Sequence, residues 1–188
     1  MDRTPASLLE QVRNPADGDA WRRFVQLYTP LLYHWARRIR LQDQDAADLV
    51  QDVFTVLVQK LPDFQYDRHK SFRAWLKTVL VNKWRDHERH RAALPIEEHA
   101  APLPDRAEAE DGEAISETEY RQQLVARALQ LMHAELPAAT WQAFREYFIA
   151  GRPAQEVAGE LGMTVNAVYI VKCRVLRRLR RELAGLMD

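Results

Sequence analysis

Apolar residues recur at three- and four-residue spacings along most of this chain, and residues 93–115 break the pattern with Pro95, Pro102 and Pro104 and few large apolar side chains. A three-to-four period is the mark of helices that bury one stripe, and no strand-like alternation interrupts it. The broken stretch is acidic. From Glu97 to Glu119 there are nine acids against the single base Arg106. Too little can be buried there, and like charges keep such a segment extended. The pattern predicts an all-α chain of two small helical domains, residues 1–92 and 116–188, joined by an acidic flexible linker at 93–115.

In the first unit, Thr4-Pro5 reads as a helix start, with Leu8, Leu9 and Val12 on one stripe. A second helix capped by Asp19 carries Trp21, Phe24, Leu27, Tyr28, Leu31, Trp35 and Ile39, and Pro30 is expected to bend or divide it. A third runs from about Asp45 to Leu61. It buries Leu49, Val53 and Leu57, with Asp45, Asp48 and Asp52 opposite. After a loop over Asp63–Lys70, a fourth runs from Ser71 to about Arg91. In the second unit Ser116 and Glu119 form a capping box, and Leu124, Ala128, Leu131 and Met132 share a face. Helices over Thr140–Ala150, Pro153–Leu161 and Thr164 to about Leu186 complete it.

Composition excludes several classes of function. At 47% hydrophobic and 29% charged, the chain reads as a soluble globular protein. No apolar run reaches the roughly 20 residues a membrane span needs, and no signal-peptide pattern opens the sequence, so a cytoplasmic protein is expected. The lone Cys173 excludes an internal disulfide and a cysteine zinc framework. Six glycines form no phosphate-cradling motif. Net charge is zero, yet the charges are segregated. Arg68–Arg91 holds eight Lys/Arg and two acids, and Val165–Arg181 holds six bases and no acid. Any one such block is ordinarily a solvated helix face; two on separate helical units point toward nucleic acid.

Ala158, Gly162 and Val168 sharpen that reading. A helix-turn-helix needs a small residue where its helices cross, a residue tolerant of positive φ in the turn, and an aliphatic beneath the second helix. These three residues meet those needs at relative spacings of four and six, with Val157, Leu161, Val165 and Leu179 around them. Thr164 can cap the second helix and aim its N-terminal end at a DNA groove. Its exposed positions are expected to be Asn166, Tyr169, Lys172 and Cys173, then Arg174, Arg177 and Arg178. Asparagine suits adenine edges, and the later bases suit phosphates. The plainer alternative is a helical hairpin with a basic solvent face.

At this point the sequence resembles a bacterial RNA polymerase sigma factor of the sigma-70 family, extracytoplasmic-function (ECF) type. Asp45-Ala46-Ala47-Asp48-Leu49-Val50-Gln51-Asp52-Val53-Phe54 is similar to the family's core-binding segment. Ser71-Phe72-Arg73-Ala74-Trp75-Leu76 and Val81-Asn82-Lys83-Trp84-Arg85-Asp86 resemble its promoter-melting, minus-ten-reading segment. Leu136-Pro137 through Arg181 resembles the domain that reads the minus-thirty-five element. The resemblance implies core RNA polymerase and promoter DNA as partners, an anti-sigma factor as a further candidate, and no cofactor, metal, membrane or small-molecule substrate.

The residues it implicates are Asp45, Asp48, Leu49, Gln51, Asp52 and Phe54 for the polymerase. For minus-ten DNA they are Arg73, Trp75, Lys77, Asn82, Lys83, Arg85, Asp86 and His87. For minus-thirty-five DNA they are Pro153, Thr164, Val165, Asn166, Tyr169, Lys172, Arg174 and Arg177. Phe72 and Trp75 also fit the buried stripe of their helix. One departure stands out: Tyr169-Ile170-Val171 occupies a stretch that is basic-polar-basic in many members.

Two other classes compete. A two-domain regulator that binds DNA without being a polymerase subunit accounts for the helix-turn-helix but not for the aspartate helix. A metal-dependent nuclease would use Asp43, Asp45, Asp48 and Asp52, or His87 and His90, as ligands. No second acidic cluster or general base accompanies the aspartates, and the histidines sit among Arg85, Arg89 and Arg91, which oppose a cation.

Overall fold

The computed structural model describes residues 6–64, 71–93 and 116–187. Among the described residues every regular element is helical. They run α1 (Leu8–Val12), α2 (Gly18–Arg38), α3 (Asp43–Lys60), α4 (Phe72–Ala93), α5 (Glu117–Glu135), α6 (Ala138–Phe144), a π-helical turn (Arg145–Ile149), α7 (Ala154–Leu161) and α8 (Val165–Leu183). The Thr4-Pro5 helix start, loop residues 65–70 and linker residues 94–115 lie outside the described residues.

Local chemistry explains the helix starts. Ser7 caps α1 in a reciprocal box with Glu10. Asp17, not Asp19, caps α2: its carboxylate accepts from the Ala20 amide at 3.0 Å. Asp19 falls in the first turn, where it favours the helix dipole and pairs with Arg22 at 2.7 Å. Ser116 caps α5 by accepting from the Glu119 amide at 3.1 Å. The carboxylate of Glu119 reaches across to Arg38 at 3.1 Å and does not close the expected box.

Pro30 does not divide α2. The helix runs unbroken from Gly18 to Arg38. A proline has no N–H to give the carbonyl four residues back, here that of Gln26. That carbonyl accepts instead from Arg127 Nε of α5 at 3.0 Å. The freed acceptor thus takes a side-chain donor from another helix at the surface.

Two apolar cores result. The first gathers Phe24, Leu27, Tyr28, Leu49, Leu57, Phe72 and Leu76 from α2, α3 and α4. The second gathers Met132, Phe144, Val157, Ala158, Val168 and Val175 around the last three helices. They are not separate bodies among the described residues. Tyr120, Leu124 and Ala128 of α5, with Leu183 and Leu186 at the C-terminal end, belong to the first core. Met132, on the last turns of α5, belongs to the second. Helix α5 is therefore a shared strut.

The centre of the seam is a pair of buried tyrosines. Tyr120 donates its hydroxyl proton to the Leu186 carbonyl at 2.7 Å. The Tyr28 hydroxyl, 2.9 Å from that of Tyr120, therefore donates to it. Burial holds both phenols protonated well above their usual range, and for Tyr28 the neighbouring Tyr120 adds to the effect. A raised folded-state pKa favours the protonated form in the folded chain. Its stability is complete below the ordinary tyrosine pKa of about 10 and is lost as the pH rises beyond it. Two of the six tyrosines are thus expected to resist ionisation in an alkaline absorbance titration until the fold gives way, with the melting temperature falling above about pH 10. Six tyrosines titrating together in the folded chain would contradict this.

Candidate polymerase and promoter interfaces

Helix α3 begins beside α2, where Asp43 accepts from the Tyr33 hydroxyl at 3.0 Å and pairs with Arg37 at 3.1 Å. One turn on, the acidic face meets the end of α4. Asp45 pairs with Arg91 at 2.9 Å, and Asp52 lies 2.7 Å from His87 Nε2. The Asp45 hydrogen bond holds the Arg91 guanidinium above its usual pKa. Asp48 and Gln51 are exposed between them. Leu49 is fully buried, and Phe54 is half-buried with its ring edge-on to Phe24 at 6.4 Å. Those two shape the face from beneath; Asp48 and Gln51 are its outward groups.

Helix α4 sorts its aromatic residues from its polar ones. Phe72 and Trp84 are buried in the first core. Trp75 is half-buried, its ring 4.7 Å from that of Phe64 and 5.6 Å from that of Phe72. Lys77 and Asn82 are exposed, while Lys83, Arg85, Asp86 and His87 are half-buried. Asp86 is engaged by Arg89. The Arg73 guanidinium lies 5.5 Å from the centre of the Tyr120 ring, at the seam. Sequence reasoning missed that the minus-ten candidate His87 and the polymerase candidate Asp52 touch. Their 35-residue separation leaves no local signal for it.

The second unit carries a helix-turn-helix of the expected build. Gly162 ends α7 in the left-handed conformation at φ 63°, ψ 30°. Ala158 and Val168 are buried at the crossing. Thr164 caps α8 by accepting from the Ala167 amide at 3.1 Å, and Pro153 stands as N-cap of α7. A β-carbon at Gly162 would meet no atom within 4 Å, so only the backbone conformation opposes substitution. Gly162→Val is accordingly expected to cost about 1–2 kcal/mol in a urea titration, with the denaturant slope unchanged. A neutral result would contradict this account of the turn.

On α8, Asn166, Tyr169, Cys173, Arg174 and Arg177 are exposed. Val165 is half-buried. Lys172 spans the rings of Tyr147 and Phe148, 5.5 and 5.9 Å from their centres. Tyr169 packs its edge on Tyr147 at 5.5 Å and still keeps 45% of its surface exposed. It is surface and not core. Arg178 departs from expectation. It is half-buried and bound to Glu135 and Glu182, which leaves it unsuited to a phosphate. Arg152, before α7, braces the motif from behind by pairing with Glu146 and Glu160, and holds the Glu160 carboxyl below its usual range.

Among the described residues no group of three or more His, Cys, Asp or Glu side chains is arranged to hold a metal ion. No helix there is long and apolar enough to cross a membrane.

Residues 24–93, which hold the aspartate face and the aromatic-basic helix, match the family model described as Sigma-70 region 2. The RNA polymerase sigma factor CnrH of Cupriavidus metallidurans is 33% identical over 158 residues, covering 81% of this chain and 78% of that protein. The chain belongs to the sigma-70 family, extracytoplasmic-function type. The ECF RNA polymerase sigma factor SigD of Mycobacterium tuberculosis is 28% identical over 177 residues, covering 92% of this sigma factor and 81% of its own length. The solved structure of CnrH in complex with the cytosolic domain of CnrY matches at 27% identity over 92% of each chain, with a TM-score of 0.38.

Proposed function

We propose that this chain is a dissociable, cytoplasmic initiation subunit that directs core RNA polymerase to a set of promoters and performs no covalent chemistry of its own. The first unit, residues 1–92, grips the polymerase and opens the minus-ten element. The second, residues 116–188, reads the minus-thirty-five element. Residues 93–115 connect them. An anti-sigma factor is the regulator that the family relation suggests.

The observation that carries this reading is the family relation to CnrH over most of both chains. The residue roles follow from chemistry. Asp45, Asp48, Gln51 and Asp52 meet a basic surface of the polymerase, over a platform set by Leu49 and Phe54. Melted DNA must find new partners for its unstacked bases, and stacking on an aromatic face contributes about 1–3 kcal/mol per base. Trp75 offers part of a ring for this. Lys77, Asn82 and Lys83 supply donors and charge, and Arg73, Arg85, Asp86 and His87 flank them. At the minus-thirty-five element Asn166 and Tyr169 face base edges, and Lys172, Arg174 and Arg177 face phosphates, with Pro153, Thr164 and Val165 setting the approach.

Co-elution with bacterial core polymerase on a sizing column tests the assignment. A stable one-to-one complex is expected. Absence of any complex, with tight binding to free duplex DNA, would favour an independent DNA-binding regulator.

A further inference from the structure

The outward stripe of α8 carries an exposed apolar side chain at its centre. At 3.6 residues per turn, Asn166, Ile170, Cys173 and Arg177 fall within about 60° of one another. Val168, Val171 and Val175 turn inward to the second core. Ile170 sits one turn after Asn166 and keeps 40% of its surface exposed. Exposed Tyr169 flanks it, and Cys173, a small apolar group, follows it on the same face.

Charge divides this helix into two halves. Through Cys173 its one cation is Lys172. That position lies about 120° round the helix from Asn166, and the ammonium lies over the rings of Tyr147 and Phe148. The central groups of the first turns, Asn166, Ile170 and Cys173, are therefore uncharged. Exposed cations begin at Arg174 and continue with Arg177, Arg180 and Arg181.

The capped N-terminal end of a recognition helix is the part that meets base edges. Cations placed further on suit phosphates. An exposed isoleucine between them gains from burial only where the facing surface is apolar. In a major groove the apolar group on a base edge is the thymine 5-methyl. No acid lies between Val165 and Arg181, so the face as a whole complements a polyanion and not an apolar groove of a protein.

We propose that Ile170, with Tyr169 and Cys173 beside it, reads thymine 5-methyl groups in the minus-thirty-five element. This chain then selects thymine, next to the base held by Asn166, through apolar contact and not through a charged side chain. The proposal rests on the promoter-reading function above and adds a specificity-determining residue to it.

Uracil tests it, because it lacks only the methyl and keeps every hydrogen-bonding edge of thymine. Holoenzyme built on the full chain first selects its preferred minus-thirty-five sequence from a duplex pool randomised there. Each thymine of the selected sequence is then replaced by uracil, one at a time. At one position or more the unmodified holoenzyme is expected to bind about fourfold more weakly, the effect of one buried methyl. Ile170→Ala is expected to lose a similar factor on the thymine duplex and to bind thymine and uracil equally at that position. Ile170→Val is expected to keep the discrimination.

A selected sequence without thymine, equal binding of uracil at every position, or discrimination that survives Ile170→Ala would overturn the proposal. Promoter binding unchanged by Ile170→Ala would also overturn it, and would assign the strip to a protein partner. The uracil comparison on the unmodified chain stands whether or not a substitution disturbs the fold. Holoenzyme that selects no sequence at all from the pool would overturn the underlying promoter-reading function instead.

Discussion

Replacing Asp48 and Asp52 with arginine is expected to weaken binding to core RNA polymerase by about 100-fold or more while leaving the fold intact. The affinity loss has two sources: removal of two charges from a complementary contact, and repulsion between the new cations and a basic partner surface. Truncating one partner of a buried, hydrogen-bonded interfacial charge pair alone costs about 2–5 kcal/mol. The fold is spared because Asp48 is exposed and makes no contact that the core needs. Asp52 loses only its pairing with a half-exposed His87, a contact of a kind that contributes about 0–1 kcal/mol. Titration of core enzyme with labelled protein reads the affinity, and circular dichroism reads the fold. Unchanged affinity would remove α3 from the polymerase interface.

The second large effect lies on α8, where two substitutions should separate in kind. Asn166→Ala is expected to lose about 1–3 kcal/mol, some 5- to 150-fold, at the preferred minus-thirty-five sequence and to relax preference at one base position. The slope of binding against salt concentration should not change. Arg177→Ala is expected to weaken binding evenly across sequences and to reduce that slope by about one. Holoenzyme binding to a panel of minus-thirty-five variants at several salt concentrations distinguishes the two. Identical behaviour would abolish the division between base reader and phosphate contact.

The helix stripes and the turn at Gly162 were legible because each is written within a few residues. Ala158 and Val168 belong to one core and Gly162 ends the helix between them in the left-handed conformation, all within eleven residues. The polar residues of α4 and the outward side of α8 were legible for the same reason. Contacts between distant segments were not. Tyr120, Leu124 and Ala128 form the same stripe whether they cover their own unit or another, so periodicity cannot reveal that they close on Tyr28 and Trp35.

Pro30 shows the same limit from the other side. Read locally, a proline inside a helix predicts a bend or a division, and the division does not occur. Arg127, about a hundred residues away, supplies the missing donor to Gln26 and the helix continues. Arg178 read as one more base on a basic helix, and only the fold brings Glu135 and Glu182 to it. The acidic cap position moved by two residues, from Asp19 to Asp17, because either aspartate satisfies the local rule and the turn at Asn14–Gly18 selects one.

The most direct test of the central claim is run-off transcription by core RNA polymerase on promoter templates from the source organism, with and without this protein. The account predicts specific transcripts that start at defined positions, appear only when the protein is added, and vanish with the Asp48→Arg, Asp52→Arg double variant. Core enzyme and folded protein that together yield no promoter-specific transcript on any template would contradict it.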